Sequence, residues 1–226
     1  MTAISVFIGC SAVQILTDGK VSSIPNNDQF GTSKVFQMPH VNAAMATRGP
    51  ARLLGLMGML LCAQASTFED MVAVLGRLRK CARDFKEPWQ AEVLSSEFDV
   101  VLAGIGKDGP AAYIVSSHGK HGTEPWAVDQ IDKLLCTPPI PQPQFEFLAS
   151  QGTNGVDMGQ VLDLQRLADP DAVGVFGTLT TIERGSIATR MVRDWRSRPY
   201  EMKPTAAHSP APVMMNSAFQ KAAARP

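Results

Sequence analysis

No excess of charge of either sign marks this chain: among 226 residues, 21 Lys and Arg stand against 21 Asp and Glu. Without a basic surplus there is no electrostatic footprint for a polyanion, so nucleic acid is not an expected partner. Apolar runs are short and none approaches the roughly 18 residues of a membrane span, so no membrane association is expected. The opening stretch MTAISVFIGCSAVQILTDG lacks the basic leader of a secretory signal and the Arg-rich face of a transit peptide. Cysteine is scarce. Cys10, Cys62, Cys81 and Cys136 lie far apart with no C-x-x-C pair, which argues against a disulfide framework or a zinc ribbon. A reducing cytoplasm is therefore the expected location. Only His118 and His121 fall close together, on a Gly-rich loop without a carboxylate or thiol cluster, so neither metal nor cofactor is expected.

What the chain does have is apolar content, 45% of its residues, enough to fill one sizeable core. The expected organisation is a single domain over residues 1–196. A Pro/Ala-rich tail or arm over 197–226 follows it. Thr2–Ile8 and Ala12–Thr17 are β-branched runs around a Gly9–Ser11 turn and read as a hairpin. Val21–Ser33 reads as a polar loop, then Lys34–Met38 and Val41–Thr47 as two more strands. Four strands with no intervening helix predict antiparallel pairing. Pro50 opens a helix over Ala51–Ala65 that is apolar almost all round and hence buried. Ser66 with Glu69 resembles a capping box for an amphipathic helix running to Phe85, with Pro88 closing the pair.

Phe98–Ile105 and Ala111–Ser116 read as strands, residues 118–146 as Gly/Pro-rich with little periodicity, and Val156–Leu167 as a short helix. Val173–Ile182 and Ile187–Val192 complete a last hairpin. This order predicts an α+β fold in which two antiparallel sheets pack face to face with helices on the outer faces, a four-layer αββα sandwich.

Gly104-Ile105-Gly106-Lys107-Asp108-Gly109 matches G-x-G-x-x-G, but Pro110 and a strand pattern follow it where a dinucleotide site needs a helix. It reads as a hairpin turn. The N-terminus is more informative. Thr2 follows the initiator Met, whose removal before so small a residue is expected, leaving a threonine that carries its own base: an α-amine with an ordinary pKa near 8. Asp18 lies 16 residues after Thr2 and Lys34 lies 32 after it.

These offsets, with Leu16-Thr17-Asp18-Gly19, Ser33-Lys34-Val35, the small-residue strand Ala44-Met45-Ala46-Thr47-Arg48-Gly49 and the hairpin leading to Gly109-Pro110-Ala111-Ala112-Tyr113, resemble the proteasome β-subunit type of N-terminal nucleophile hydrolase. The likeness is to bacterial, two-component and ancestral-type members. It covers residues 2–118 well and 155–195 loosely.

Carried over by position, the resemblance implies a cofactor-free threonine hydrolase of peptide bonds. Thr2 Oγ is the implied nucleophile. Lys34 holds amine and hydroxyl in their reactive states, Asp18 fixes Lys34, and the backbone N–H of Gly49, or of Arg48 one residue earlier, donates to the oxyanion. A supporting Gly-Ser turn before the third helix is placed at Gly152-Thr153. A supporting Asp-x-x-Ser-Gly turn falls near Asp169–Gly174, where Asp171 stands in for the acid and no Ser precedes the Gly. The region also reads one helix short.

The implied partners are a peptide or small amide substrate, identical subunits in a ring or stack, and an ATPase or assembly partner. Two rival readings stay open. One is an inactive protein of this fold with a structural or assembly role, favoured by the incomplete support and the C-terminal arm. The other is an amidase acting on a small molecule.

Overall fold

The computed structural model describes residues 2–22, 29–84, 87–120, 124–151, 156–171 and 173–195. The tail over 197–226 lies outside them. In chain order the elements are β1 (Ile4–Ile8), β2 (Ala12–Asp18), β3 (Lys20–Ser22), β4 (Gln29–Gly31), β5 (Val35–Met38), β6 (Ala43–Arg48), α1 (Leu53–Gln64), α2 (Phe68–Gly76), α3 (Leu78–Asp84) and α4 (Pro88–Ser95). There follow β7 (Asp99–Gly106), β8 (Gly109–Ser116), β9 (Val128–Gln130), β10 (Leu134–Thr137), α5 (Gln142–Gln151), α6 (Met158–Ala168), β11 (Phe176–Glu183) and β12 (Ser186–Asp194).

One antiparallel sheet has the order β10-β1-β2-β11-β12 and the other β5-β6-β7-β8-β9, with β3 and β4 forming a separate small pair. Alternation of side chains along each strand sends neighbours to opposite faces, so each sheet needs cover on both sides. Three apolar clusters supply it. Ile4, Val6, Val13 and Ile15 of the first sheet meet Ala44, Ala46, Val101, Ala103 and Ile114 of the second between the sheets. Met45, Val100 and Leu102 pack outward under Leu53, Met57, Leu61, Met71 and Leu75 of the α1–α2 layer. Phe7, Leu16 and Leu179 pack outward under Leu148, Val161 and Leu162 of the α5–α6 layer. The predicted four-layer αββα sandwich is the observed one. Each buried Leu, Ile or Phe contributes about 1.5–3 kcal/mol to holding the layers together.

The G-x-G-x-x-G segment is a hairpin turn, as read. A Cβ on Gly104 would stand 2.6 Å from the Phe68 ring, and Gly109 has φ +113, a conformation suited to glycine. Its glycines therefore serve helix–sheet contact and the turn.

Several helix and strand readings need correction. The capping box is Thr67 with Asp70, one residue beyond the expected pair: Thr67 is extended and its side chain accepts from the Asp70 N–H. The helix expected to run to Phe85 breaks at Arg77 into α2 and α3. Pro88 opens α4 instead of closing the pair, with Glu87 and Gln90 capping its start. The stretch read as featureless holds β9, β10 and the start of α5, so no helix is missing. Its short strands and proline-interrupted spacing hide the periodicity. No single helix among the described residues is long and apolar enough to cross a membrane.

Candidate active site

The inter-sheet core changes character at one end. Following the faces that carry Ile4, Val6 and Ile15, the next positions of the first sheet are Thr2 and Thr17, and the register Thr137–Ile4–Thr17–Thr178 adds two more threonines. In the second sheet the face of Ala46, Val101 and Ile114 continues to Arg48, Asp99 and Ser116, which are paired across the ladder. Both sheets thus end in hydroxyls and charges at the level of Thr2. Buried polar groups persist only when hydrogen-bonded, and these are. Thr17 Oγ1 lies 3.1 Å from Thr178 Oγ1. Ser116 Oγ donates to Asp99 Oδ1 at 2.6 Å, and Arg48 Nη1 donates to Thr137 Oγ1 at 2.8 Å, spanning the two sheets. Asp99 also lies 3.7 Å from Arg48 and 3.1 Å from His118 Nε2.

At this end the three residues picked out by spacing converge. Lys34 Nζ donates to Thr2 Oγ1 at 3.0 Å and to Asp18 Oδ1 at 2.9 Å. Thr2 and Lys34 are each 6% exposed and Asp18 is 0% exposed, so the cluster is mostly buried and its electrostatics are only weakly screened. Asp18 reaches this place because it ends β2 opposite the start of β1. Its Oδ1 also accepts from Ala3 N–H at 2.9 Å, and its Oδ2 accepts from Lys20 N–H at 3.0 Å and Gly174 N–H at 3.2 Å. A carboxylate with three backbone donors and one ammonium is held in one orientation.

Burial pushes the Lys34 ammonium below the ordinary lysine range, the attraction and hydrogen bond of Asp18 pull it back up, and the nearby Lys20 lowers it again. Burial wins. Because the lowered direction favours the neutral amine, Lys34 loses its proton at lower pH than a free lysine. If turnover needs the cation, kcat/KM falls on the alkaline side with a midpoint below the ordinary lysine range. In Lys34→Arg that limb moves beyond the measurable range, since a guanidinium does not titrate there. A pH–rate profile of both proteins checks this; an alkaline limb unchanged by Lys34→Arg assigns it to another group.

Gly49 follows β6 directly, with φ +130, and a Cβ there would stand 2.8 Å from Phe98 Cβ. This backbone conformation requires glycine. Arg48 is still in the strand, paired with Asp99. Thr153 lies outside the described residues. Asp171 is exposed on the connection from α6 to β11, and the contact this connection makes with Asp18 comes instead from the Gly174 N–H.

Two neighbours escaped the sequence reading. Lys20 sits two positions beyond Asp18, a spacing that puts both on one side of an extended chain. Thr137 ends the strand beside β1, just before the proline-rich turn into α5, and its Oγ1 accepts from Arg48 of the other sheet. Cys136 is no rival nucleophile: burial pushes its thiol up to about 11.

No sequence family matches this chain, and no curated protein does. Among solved structures it is similar to the Anbu (Gly-1) mutant from Hyphomicrobium sp. strain MC1, with a TM-score of 0.62 and 10% identity over 85% of this chain and 88% of that one. That likeness shows the fold: two antiparallel sheets between helical layers.

Proposed function

We propose that this chain is an N-terminal threonine hydrolase that cleaves peptide bonds once Met1 is removed. The observation that carries the reading is the buried Lys34 ammonium, 3.0 Å from Thr2 Oγ1 and 2.9 Å from Asp18 Oδ1. A hydroxyl needs a base and a nearby cation to become a nucleophile, and an N-terminal threonine brings the base in its own α-amine. The neutral amine takes the Oγ proton as Oγ bonds to the scissile carbonyl carbon. The positive charge of Lys34 stabilises the developing oxyanionic character at Oγ and keeps the α-amine from holding its proton. The carbonyl oxygen becomes an oxyanion facing the Gly49 turn, whose N–H donates to it. Collapse breaks the C–N bond, the amine leaves with the proton, and water then hydrolyses the ester to free Thr2. No cofactor is required by these steps.

A structural or assembly role on the same fold is the rival reading, and one observation favours it: Asp171 is exposed and takes no part in the Asp18 hydrogen bonds. Intact mass of the purified full chain separates the two. Loss of one methionine, followed by a single adduct on Thr2 after treatment with an uncharged electrophile directed at N-terminal threonine, is expected for the hydrolase. Retained Met1, or an adduct elsewhere, favours the structural role. Subunit assembly and a cytoplasmic location remain part of the same proposal.

A further inference from the structure

The proposed reaction uses Thr2, Lys34, Asp18 and the Gly49 turn, and it leaves the second charged cluster of the polar layer without a task. At its centre is Asp99, 0% exposed at the start of β7. Its Oδ1 accepts from Ser116 Oγ at 2.6 Å and lies 3.1 Å from His118 Nε2, and its Oδ2 faces Arg48 Nη1 at 3.7 Å. The contacts on Oδ1 hold the carboxylate, and Oδ2 aims the guanidinium, which donates to Thr137 Oγ1 of the other sheet at 2.8 Å. A buried ion pair adds little stability over apolar residues of similar volume. What it does add is direction.

The two ends of this bridge are the two parts that the reaction must align. Gly49 follows Arg48 directly and is packed on the start of β7: a Cβ there would stand 2.8 Å from Phe98 Cβ and 3.0 Å from Glu97 O. Phe98 is held in turn by its N–H on Ser117 Oγ at 2.8 Å and by edge contact with Trp126. Thr137 pairs with Ile4, two residues along the chain from Thr2. Lys34 makes another tie at this end, since it lies just before β5 and reaches Thr2 and Asp18 of the first sheet. The apolar core between the sheets has no directional preference of its own, whereas a hydrogen bond weakens steeply when its geometry is lost.

We propose that Arg48, oriented by Asp99, is a positioning residue for this reaction: it sets the Gly49 turn on one sheet against Thr2 on the other. A donor stabilises an oxyanion only where the oxyanion forms, and a misplacement of about 1 Å can cost about 100-fold in rate. Arginine suits the place because its planar fork serves Thr137 and Asp99 together, which the single ammonium of lysine does less well.

This inference rests on Thr2 being the nucleophile. The test uses the full, processed chain with Arg48→Met, Arg48→Lys and Asp99→Asn. In Arg48→Met, kcat is expected to fall about 10- to 100-fold with KM nearly unchanged, because the lost interaction acts in the transition state. Arg48→Lys recovers part of the loss. Two probes separate the Gly49 turn from Thr2 itself. A peptide boronic acid forms a tetrahedral adduct on Thr2 Oγ with an oxygen at the place of the oxyanion, and its affinity falls by the same factor as kcat. A peptide vinyl sulfone bonds carbon to Oγ while its neighbouring carbon takes the proton. No carbonyl oxygen becomes an oxyanion in that addition, and its rate stays close to the wild-type rate.

Wild-type kcat in Arg48→Met overturns the inference. So does a loss that falls equally on both probes, which places the damage at Thr2 and Lys34. If thermal unfolding shows that Arg48→Met does not fold, Arg48→Lys and Asp99→Asn carry the same comparison of probes. Reaction of the wild type with the sulfone tells two failures apart. Addition at Thr2 with both probes unaffected in every variant removes the role of Arg48 alone, and absence of both addition and turnover in the wild type removes the nucleophile reading with it.

Discussion

Lys34→Ala is expected to lower turnover by about 10²–10⁴-fold while the protein keeps its fold and its melting temperature nearly unchanged. The two halves of that expectation have different origins. Activity falls because Thr2 Oγ1 loses the only side-chain ammonium that donates to it among the described residues, at 3.0 Å. In the proposed mechanism, loss of that charge lets the α-amine of a processed Thr2 hold its proton more tightly, so that it fails as a base at neutral pH. Stability survives because Asp18 is left with three backbone donors, from Ala3, Lys20 and Gly174, and is not stranded. Removing an ammonium whose burial already disfavours its charge also relieves a cost, which offsets the lost ion pair.

Lys34→Met, which keeps most of the volume, separates a cavity effect from a charge effect and should behave alike. Peptide turnover and thermal unfolding of the same preparations check both halves. Wild-type turnover in either variant would remove Lys34 from the mechanism, and unfolding of both would show that the ion pair serves the fold first.

The sandwich was legible because its strands are long and continuously apolar. Ile4–Ile8, Ala12–Asp18 and Asp99–Gly106 consist mostly of β-branched, small and other apolar residues, and turns such as Lys107-Asp108 are short. The candidate triad was legible because it depends on sequence offsets within a hairpin and the next strand, which a fold of this type fixes. What stayed hidden was set by tertiary contact. The strands β9 and β10 have three and four residues, too few for a pattern, and exist because β8 and β1 offer them edges. Proline in the turn after Thr137 and at the start of α5 masks a helix that the α5–α6 layer needs to cover Phe7 and Leu16. Arg48 was legible only as a backbone donor, whereas the register with Asp99 places its side chain between the sheets, where it ties β6 to β10 through Thr137. Gly174 could not be read as a partner of Asp18, since 156 residues separate them and only the docking of β11 on β2 joins them.

Asp18→Ala should do what Lys34→Ala does not, and lose stability along with activity. Removing this carboxylate leaves the Lys34 ammonium buried with Thr2 Oγ1 as its remaining described partner, and it orphans the N–H groups of Ala3, Lys20 and Gly174. Breaking one side of a buried pair typically costs about 3–5 kcal/mol. For a chain of this size each kcal/mol lowers the melting temperature by about 2–4 °C, so a fall of about 10 °C is expected. The loss is amplified by position, because Asp18 is the point at which the start of β1, the turn into β3 and the connection before β11 are fastened together.

Asp18→Asn refines the argument. Its carbonyl oxygen can still accept from one pair of donors, but its NH₂ group must then face the other donors, so part of the stability returns and part does not. Its neutral side chain also withdraws the charge that holds a proton on Lys34, whose amine then deprotonates at still lower pH, and turnover stays low at neutral pH. Urea unfolding and peptide turnover, measured together on both variants, check this ordering. An Asp18→Ala protein as stable as the wild type would mean that the three backbone donors find water instead, and that Asp18 holds Lys34 and nothing more.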